Sequence, residues 1–414
     1  MKTTGVILIC ALPFWVSAQS FEDFSRSQQE GLGAYSQTDE RKEFESWQQQ
    51  QLQDYAGYKK ALQEEFKVFR QTLKTELANY QKSIGENWDD IEISEAKKWV
   101  EYSDDRRTKR VVDYDKNEIR IHVIERKGQE ATRVMEAELK DLLGEKQASA
   151  FKREPVMSKV EQKLRKEQVV LKGKPSKQLV LSELFETSQP SKAQIDEKAE
   201  ELLKKAQITR SVAKKPSARR EGTEAMVVTI PLPKDRVSKK AEQYRDTVRQ
   251  HSGKWDINEP LILAVIHTES AFNPMATSYV PAYGMMQIVP RYAGKEAAEK
   301  LWGKPKLLAP SYLYDANKNI EVGTVYLNIL YYQYFEQVKD TDSRLFCSIA
   351  AYNTGGGNVA RAFTGKRNLK KAIPIINSLT SQQVYDRLRK HLPYKETRDY
   401  VQRVSQRMKA YQDL

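Results

Sequence analysis

Asn258-Glu259-Pro260-Leu261-Ile262-Leu263-Ala264-Val265-Ile266-His267-Thr268-Glu269-Ser270 is the stretch whose reading decides the fold. Asn258 is a residue type that caps helix N-termini and Pro260 suits a first turn, so the spacing predicts a helix that starts here. On that helix Ile262, Val265 and Ile266 lie seven, four and three residues before Glu269, which sets the carboxyl on the apolar face. A carboxyl partly buried without a cationic neighbour favours its neutral form. A Glu protonated near neutral pH is what a glycosidic general acid needs. The same spacing also fits a Glu at a helix end that makes only a structural hydrogen bond.

The residues that follow turn the reading toward sugar. From Ser270 to Lys295 there is no Asp or Glu. Asn273, Thr277, Ser278, Tyr279, Tyr283, Gly284 and Gln287 stand there instead, interleaved with Pro, Met and Ala. Amides, hydroxyls and aromatic faces of this kind line sugar-binding clefts. A hydrolytic glycosidase normally uses two carboxylates, and only one candidate is visible. Either the substrate supplies its own nucleophile, or a second carboxylate arrives from distant sequence.

Working outward, 414 residues are too many for one ordinary core and predict two folded domains with connectors. The first 18 residues read as a secretory signal, with Lys2 as the positive end, Val6 to Val16 as the apolar run, and a Val16-Ser17-Ala18 cleavage site before Gln19. Cys10, preceded by the bulky Ile9, does not suit lipidation, so a soluble exported protein is expected. Beyond the signal only Cys347 remains, in an apolar run where a buried thiol acts as a small hydrophobe. The four histidines are scattered without metal-ligand spacing, and neither a metal nor a cofactor is expected. Net charge is +13, and residues 241–414 hold 24 Lys and Arg against 16 Asp and Glu. A basic surface suits an anionic polymer. The export signal argues against nucleic acid and for anionic wall polymers or membrane surfaces.

Along the chain, residues 19–40 read as a flexible arm. Phe44, Trp47, Leu52, Tyr55, Tyr58, Leu62, Phe66, Phe69, Leu73, Leu77, Tyr80, Ile84 and Trp88 then recur mostly at three or four residues, an aromatic stripe on one very long helix or a helical hairpin. The stripe packs against its own domain or docks a partner. Lys98–Ser103, Thr108–Asp115 and Glu118–Ile124 read as extended, and helical patterns follow around Glu130–Glu145 and Lys192–Gln207. Residues 41–208 therefore read as an α+β accessory domain, 209–225 as a basic linker, and 226–414 as a mostly α-helical catalytic domain. After Ala351-Tyr352-Asn353, five cations (Arg361, Lys366, Arg367, Lys370 and Lys371) fall within eleven residues with no acid among them. They read as a solvated loop or as a strip for peptide-stem carboxylates or other anionic wall polymers.

Glu269-Ser270, Gly284-Met285-Met286-Gln287, Ala351-Tyr352-Asn353-Thr354-Gly355 and Glu396-Thr397-Arg398-Asp399-Tyr400 stand in the order of the motifs of family 1 lytic murein transglycosylases, which residues 226–414 resemble. Asp315 to Leu327 is similar to that family's structural helix. The N-terminal part, above all Lys98 to Glu125, looks similar to a membrane-bound member. The resemblance implies a lysozyme-like (SLT) domain that cuts between N-acetylmuramic acid and N-acetylglucosamine without water. Glu269 would protonate the leaving oxygen and then take the proton of the muramoyl 6-hydroxyl as a 1,6-anhydro ring closes. Ser278, Gln287, Tyr352 and Asn353 would line the sugar subsites, Met286 would pack below, and Tyr400 would orient Glu269. It also implies the periplasm of a Gram-negative bacterium, free or peripherally held on wall or membrane, with glycan strands as the main partner. Cell-wall, divisome or elongation proteins would be reached through the accessory domain. A hydrolytic muramidase and a non-catalytic peptidoglycan-binding protein are the alternatives. Met285 stands where the family usually has Leu, and Lys390 falls near where some relatives carry an acid.

Overall fold

The computed structural model describes residues 39–125, 130–214, 223–278 and 281–412. The signal at 1–18, the arm at 19–40 apart from its last two residues, and Tyr279 lie outside the described residues.

The aromatic stripe folds as one helix, α1 (Asp39–Ile84). Its apolar positions do not serve the accessory domain alone. Leu62, Phe69 and Leu73 join the same buried core as the C-terminal helices. Phe69 meets Tyr283 edge to face at 6.3 Å between ring centroids, and the Tyr58 hydroxyl donates to the carbonyl of Pro305 at 2.8 Å. The stripe is thus a strut between two domains. Only toward its N-terminal end do large apolar side chains, Trp47 and Leu52, remain exposed.

The strand β1 (Lys98–Tyr102), β2 (Thr108–Asp113) and β3 (Glu118–Val123) form an antiparallel meander. Helix α2 (Ala131–Leu143) covers one face of it and is followed by α3 (Gln147–Arg153), α4 (Met157–Lys163), the short strand β4 (Val170–Leu171) and α5 (Lys192–Leu203). Two further strands, β5 (Gln207–Lys214) and β6 (Thr223–Pro231), complete a five-stranded sheet in the order β1-β2-β3-β6-β5. Ile119, Ile121, Val228 and Ile230 from the sheet pack against Met135 and Leu139 of α2. On the opposite face Ile84, Trp88, Ile93, Ala213 and Ala225 close a smaller core.

Two boundaries read from sequence are corrected by this sheet. The stretch 209–225, expected to be a linker, contains most of β5 and the start of β6, and Met226–Leu232, expected to open the catalytic domain, pairs with β3. The physical reason lies in β5. It is an edge strand with most side chains exposed, so it carries no apolar alternation; backbone pairing with β6 holds it, and its Arg and Lys blunt the edge.

Beyond β6 the chain is helical: α6 (Arg236–Trp255), α7 (Glu259–Ser270), α8 (Lys295–Trp302), the two-residue β7 (Leu307–Leu308), α9 (Pro310–Leu313), α10 (Ala316–Ile329), α11 (Thr341–Thr354), α12 (Gly356–Thr364), α13 (Leu369–Asn377), α14 (Ser381–His391) and α15 (Lys395–Ala410). Helix α7 is apolar nearly all round and buried along its length, the pattern of a central helix. Cys347 of α11 is fully buried, and burial pushes its thiol far up.

The two domains are joined by buried contacts. β4 pairs with β7 in parallel. Arg236 and Lys240 of α6 are buried with Glu183 of the accessory domain, with Nζ of Lys240 3.0 Å from the carboxylate. Arg236 also donates to the carbonyl of Ala271 at 3.3 Å, just past the end of α7. Removing one member of such a set would strand a charge in the interior, at a cost of about 3–5 kcal/mol.

Candidate active site

Glu269 sits in the last turn of α7, and the chain leaves that helix by an abrupt route. Asn258 caps its start through Leu261 N–H, Pro260 lies in the first turn, and Ala271 and Phe272 both take left-handed backbone (φ 50° and 62°) at its end. Two successive non-glycine residues in that region store strain and turn the chain sharply next to the carboxyl. Asn273 fixes the exit: fully buried, it accepts from Met275 N–H at 2.9 Å and donates to the carbonyl of Ala96 in the accessory domain at 3.1 Å.

The Glu269 side chain is half-buried, and removal from water pushes its pKa up to about 7. The Tyr400 hydroxyl pulls it down, the charge of Glu396 pushes it further up, and Lys97 and Arg403 pull it down more weakly. Tyr400 is buried on α15, and its hydroxyl lies close enough to the Glu269 carboxyl to pull its pKa down. Burial and the negative field of Glu269 keep the phenols of Tyr400 and Tyr352 well above the usual range, so both remain hydroxyl donors.

The turn Gly284–Gln287 is tied to this group through Tyr352. Gly284 has φ 73°, and a Cβ there would fall 2.3 Å from the Nδ2 of Asn319 and the carbonyl of Leu313, so only glycine fits. Asn319 of α10, fully buried, accepts from Met286 N–H at 2.8 Å and donates to the carbonyls of Tyr283 and Leu313 at 2.8 and 2.9 Å. Met286 is buried against Gly323, where any Cβ would clash with its sulfur. Gln287 adopts left-handed backbone (φ 47°), and its side-chain amide donates to the carbonyl of Gly284 at 3.0 Å. The Tyr352 hydroxyl donates to the carbonyl of Met286 at 2.9 Å, joining this turn to α11. Beside it, Asn353 accepts from the buried Thr397 hydroxyl at 2.7 Å, joining α11 to α15.

The structure therefore brings Glu269, Tyr352 and Tyr400 together and links Met286, Gln287 and Asn353 to them. Ser278 belongs to the same loop, its N–H bonded to the carbonyl of Ala282 at 3.2 Å. Sequence reasoning did not single out Thr397, Lys97 or Arg403, and it read Asn273 as a sugar-facing amide, whereas the side chain is buried and holds the chain at the end of α7. Thr397 lay inside a quoted motif, whereas Lys97 comes from 172 positions earlier in the chain and left no local signal. Among the described residues no group of three or more His, Cys, Asp or Glu is placed to hold a metal ion, and no helix is long and apolar enough to cross a membrane.

Comparison with known proteins locates the same region. Residues 246–375 match the family model of the transglycosylase SLT domain. The chain is 39% identical over 189 residues to the membrane-bound lytic murein transglycosylase C of Edwardsiella ictaluri, covering 45% of this chain and 51% of that one. It is 40% identical over 186 residues to the protein of the same name from Serratia proteamaculans, covering 44% and 51%. The chain thus spans about half the length of the curated relatives it matches. Among solved structures, the 70 kDa soluble lytic transglycosylase SLT70 of Escherichia coli is similar over 41% of this chain and 24% of that chain, at 27% identity and a TM-score of 0.32.

Proposed function

We infer the activity from one premise: residues 246–375 form a transglycosylase SLT domain. The proposal is that the protein cleaves the β-1,4 bond between N-acetylmuramic acid and N-acetylglucosamine in peptidoglycan and leaves 1,6-anhydromuramoyl ends. The observation that carries it is a half-buried carboxyl at the end of α7, pushed up to about 7, with two neutral phenols beside it.

In the first step protonated Glu269 gives its proton to the leaving glycosidic oxygen as the bond to the muramoyl C1 breaks. In the second the carboxylate takes the proton of the muramoyl 6-hydroxyl, whose oxygen bonds to C1. The proton returns to Glu269 and no water is consumed. An internal hydroxyl held near C1 gains from proximity what a second carboxylate would otherwise provide. Tyr400 positions the carboxyl, and Gln287, Asn353, Ser278 and Tyr352 line the sugar subsites above Met286.

A hydrolytic reading has one observation in its favour. Glu396 is the acid whose charge reaches Glu269, and it would serve as a second carboxylate. Mass spectrometry of a digest of purified sacculi separates the two, because anhydro products are lighter by one water. Products ending in reducing muramic acid would establish hydrolysis. Wall remodelling or turnover in a Gram-negative periplasm, free or peripherally held, is the setting this activity fits. The exposed Trp47–Leu52 end of α1 is where partner proteins of the wall machinery would be met.

A further inference from the structure

The five cations between Arg361 and Lys371 are all exposed. A second cationic group, half-buried, approaches Glu269, and one of its members comes from the accessory domain. Arg403 and Arg407 stand on α15, three and seven residues after Tyr400, and Lys97 stands just before β1.

Backbone bonds fix where Lys97 sits. Residues 95–98 make a tight turn, closed by Glu95 N–H to the carbonyl of Lys98 at 2.8 Å and Lys98 N–H to that of Glu95 at 3.3 Å. Ala96 and Lys97 form its tip. The Ala96 carbonyl accepts from the side-chain amide of Asn273, four residues past Glu269, at 3.1 Å. The Lys97 carbonyl accepts from Tyr114 N–H at 2.9 Å. The guanidinium of Arg236 lies over the Tyr114 ring and donates to the carbonyl of Ala271 at 3.3 Å. The tip is therefore bonded on two sides to the left-handed exit of α7, and the side chain of Lys97 is delivered there by another domain.

The charges around that exit do not cancel. Nζ of Lys97 lies 3.5 Å from Oδ1 of Asp115, but the aspartate side chain is 74% exposed against 25% for the lysine. An ion pair so open to water is weak and leaves much of the lysine charge uncompensated. Burial lowers the pKa of Lys97, Asp115 counters it, and Arg407 and Arg403 lower it further. Arg407 donates to the Thr268 hydroxyl, one residue before Glu269, at 2.9 Å, and its charge too is opposed by burial and by Arg403. His267 cannot take up this field by changing charge, because burial, Arg407, Lys97 and Arg236 already hold it neutral, at about 3. Its Nδ1 lies 3.0 Å from the Tyr411 hydroxyl. The group left to respond is Glu269, which Tyr400, Glu396 and Arg403 face from α15, Tyr352 from α11 and Lys97 from the accessory turn.

We propose that Lys97 is a positioning residue for the reaction at Glu269: its ammonium, carried in by the accessory domain, stabilises the carboxylate that remains once the proton has gone to the leaving oxygen. The consequence for rate rests on the wall-cleaving reading; the coupling between the two charges does not. The sign follows from the charge. Without the cation the carboxylate is less stable, so Glu269 keeps its proton to higher pH and gives it up less readily.

The test is the carboxyl 13C titration of Glu269 in the full chain carrying Lys97→Gln, Lys97→Glu or Lys97→Arg, with a pH–rate profile on sacculi for each. Lys97→Gln should raise the Glu269 midpoint by about half a pH unit and Lys97→Glu by about twice that, while Lys97→Arg should keep it within about 0.2. The basic limb of each profile should move with the midpoint. For Lys97→Gln, kcat should fall about threefold at an unchanged KM. Should the Gln variant not fold, Lys97→Met gives the same neutral comparison. A lysine that only holds the turn in place would lower Tm and leave the midpoint where it was, and that result overturns the proposal. So does a shift in Lys97→Arg as large as that in Lys97→Gln. A wild-type protein inactive on sacculi would sink the wall-cleaving reading instead, and the titration would still decide whether Lys97 acts on Glu269.

Discussion

Two half-buried glutamates, one in each domain, are treated in opposite ways. On the accessory sheet, burial alone would raise Glu92, but Lys109 and Arg120 hydrogen-bond it at 2.8 and 2.9 Å and hold its pKa at about 2. At the end of α7, Glu269 has no ion-pair partner among the described residues, and burial prevails, at about 7. The first arrangement fixes a charge in order to hold a sheet face together. The second leaves a proton near the balance point at neutral pH, which general acid–base work requires. Glu154 refines the lesson. It too is pushed up to about 7 by burial, but it spends its carboxyl on the N–H groups of Val156 and Met157 at the start of α4. Glu154 also has phenols in its field, those of Tyr80, Tyr283 and Tyr314, so a raised pKa does not by itself mark a site. What sets Glu154 apart is that backbone N–H groups already occupy its carboxyl.

The largest effect that could break this contrast is at Glu269. Glu269→Gln should lose wall cleavage by about 10³-fold or more in a sacculus-release assay. The same change should stabilise the fold at alkaline pH. A carboxyl whose folded pKa lies above its unfolded value disfavours the folded state above the unfolded pKa, and the penalty grows between about 4.5 and 7. Thermal denaturation should therefore show the variant more stable at pH 8, by up to roughly 3 kcal/mol, and equal to wild type at pH 4.

The accessory glutamate predicts the reverse pattern. Glu92 contributes stability that is present above its unfolded pKa and is lost as pH falls toward 2. Lys109→Met removes a buried partner and should cost about 3 kcal/mol in denaturant unfolding at pH 7. The pH–rate profile should keep its shape. A shifted profile would mean that the two regions are electrically coupled, contrary to the contrast drawn above.

How far the sequence carried this picture depends on how local each signal was. β1, β2 and β3 were legible because each alternates or is flanked by turn residues. β5 was not, because an exposed edge strand held by backbone bonds leaves no apolar period. Glu269 was legible from the apolar spacing before it and the acid-free, amide-rich stretch after it. Lys97 and the Asn273–Ala96 contact were not, because the fold brings a turn of the accessory domain to the end of α7. The apolar stripe of α1 was readable, but whether it ran as one helix or a hairpin was not, nor was its role as a strut, since periodicity shows which face is apolar and not what that face meets.

Smaller effects sharpen the picture of the cleft. Tyr400→Phe removes the hydroxyl that pulls the Glu269 pKa down, so the basic limb of the pH–rate profile should move to higher pH while turnover falls about tenfold. Glu396→Gln should act in the opposite sense and least of all: losing a negative neighbour lowers the Glu269 pKa slightly, and activity should stay within about threefold. A loss approaching that of Glu269→Gln would instead make Glu396 the second carboxylate of a hydrolase.

The most direct measurement is the pKa of Glu269 itself, read as the carboxyl 13C resonance of labelled glutamate that is missing from the Glu269→Gln variant. That difference separates it from Glu154. Titration near 7 is the result expected. A midpoint near 4.5 would show the carboxyl already ionised at neutral pH and would contradict its assignment as the proton donor.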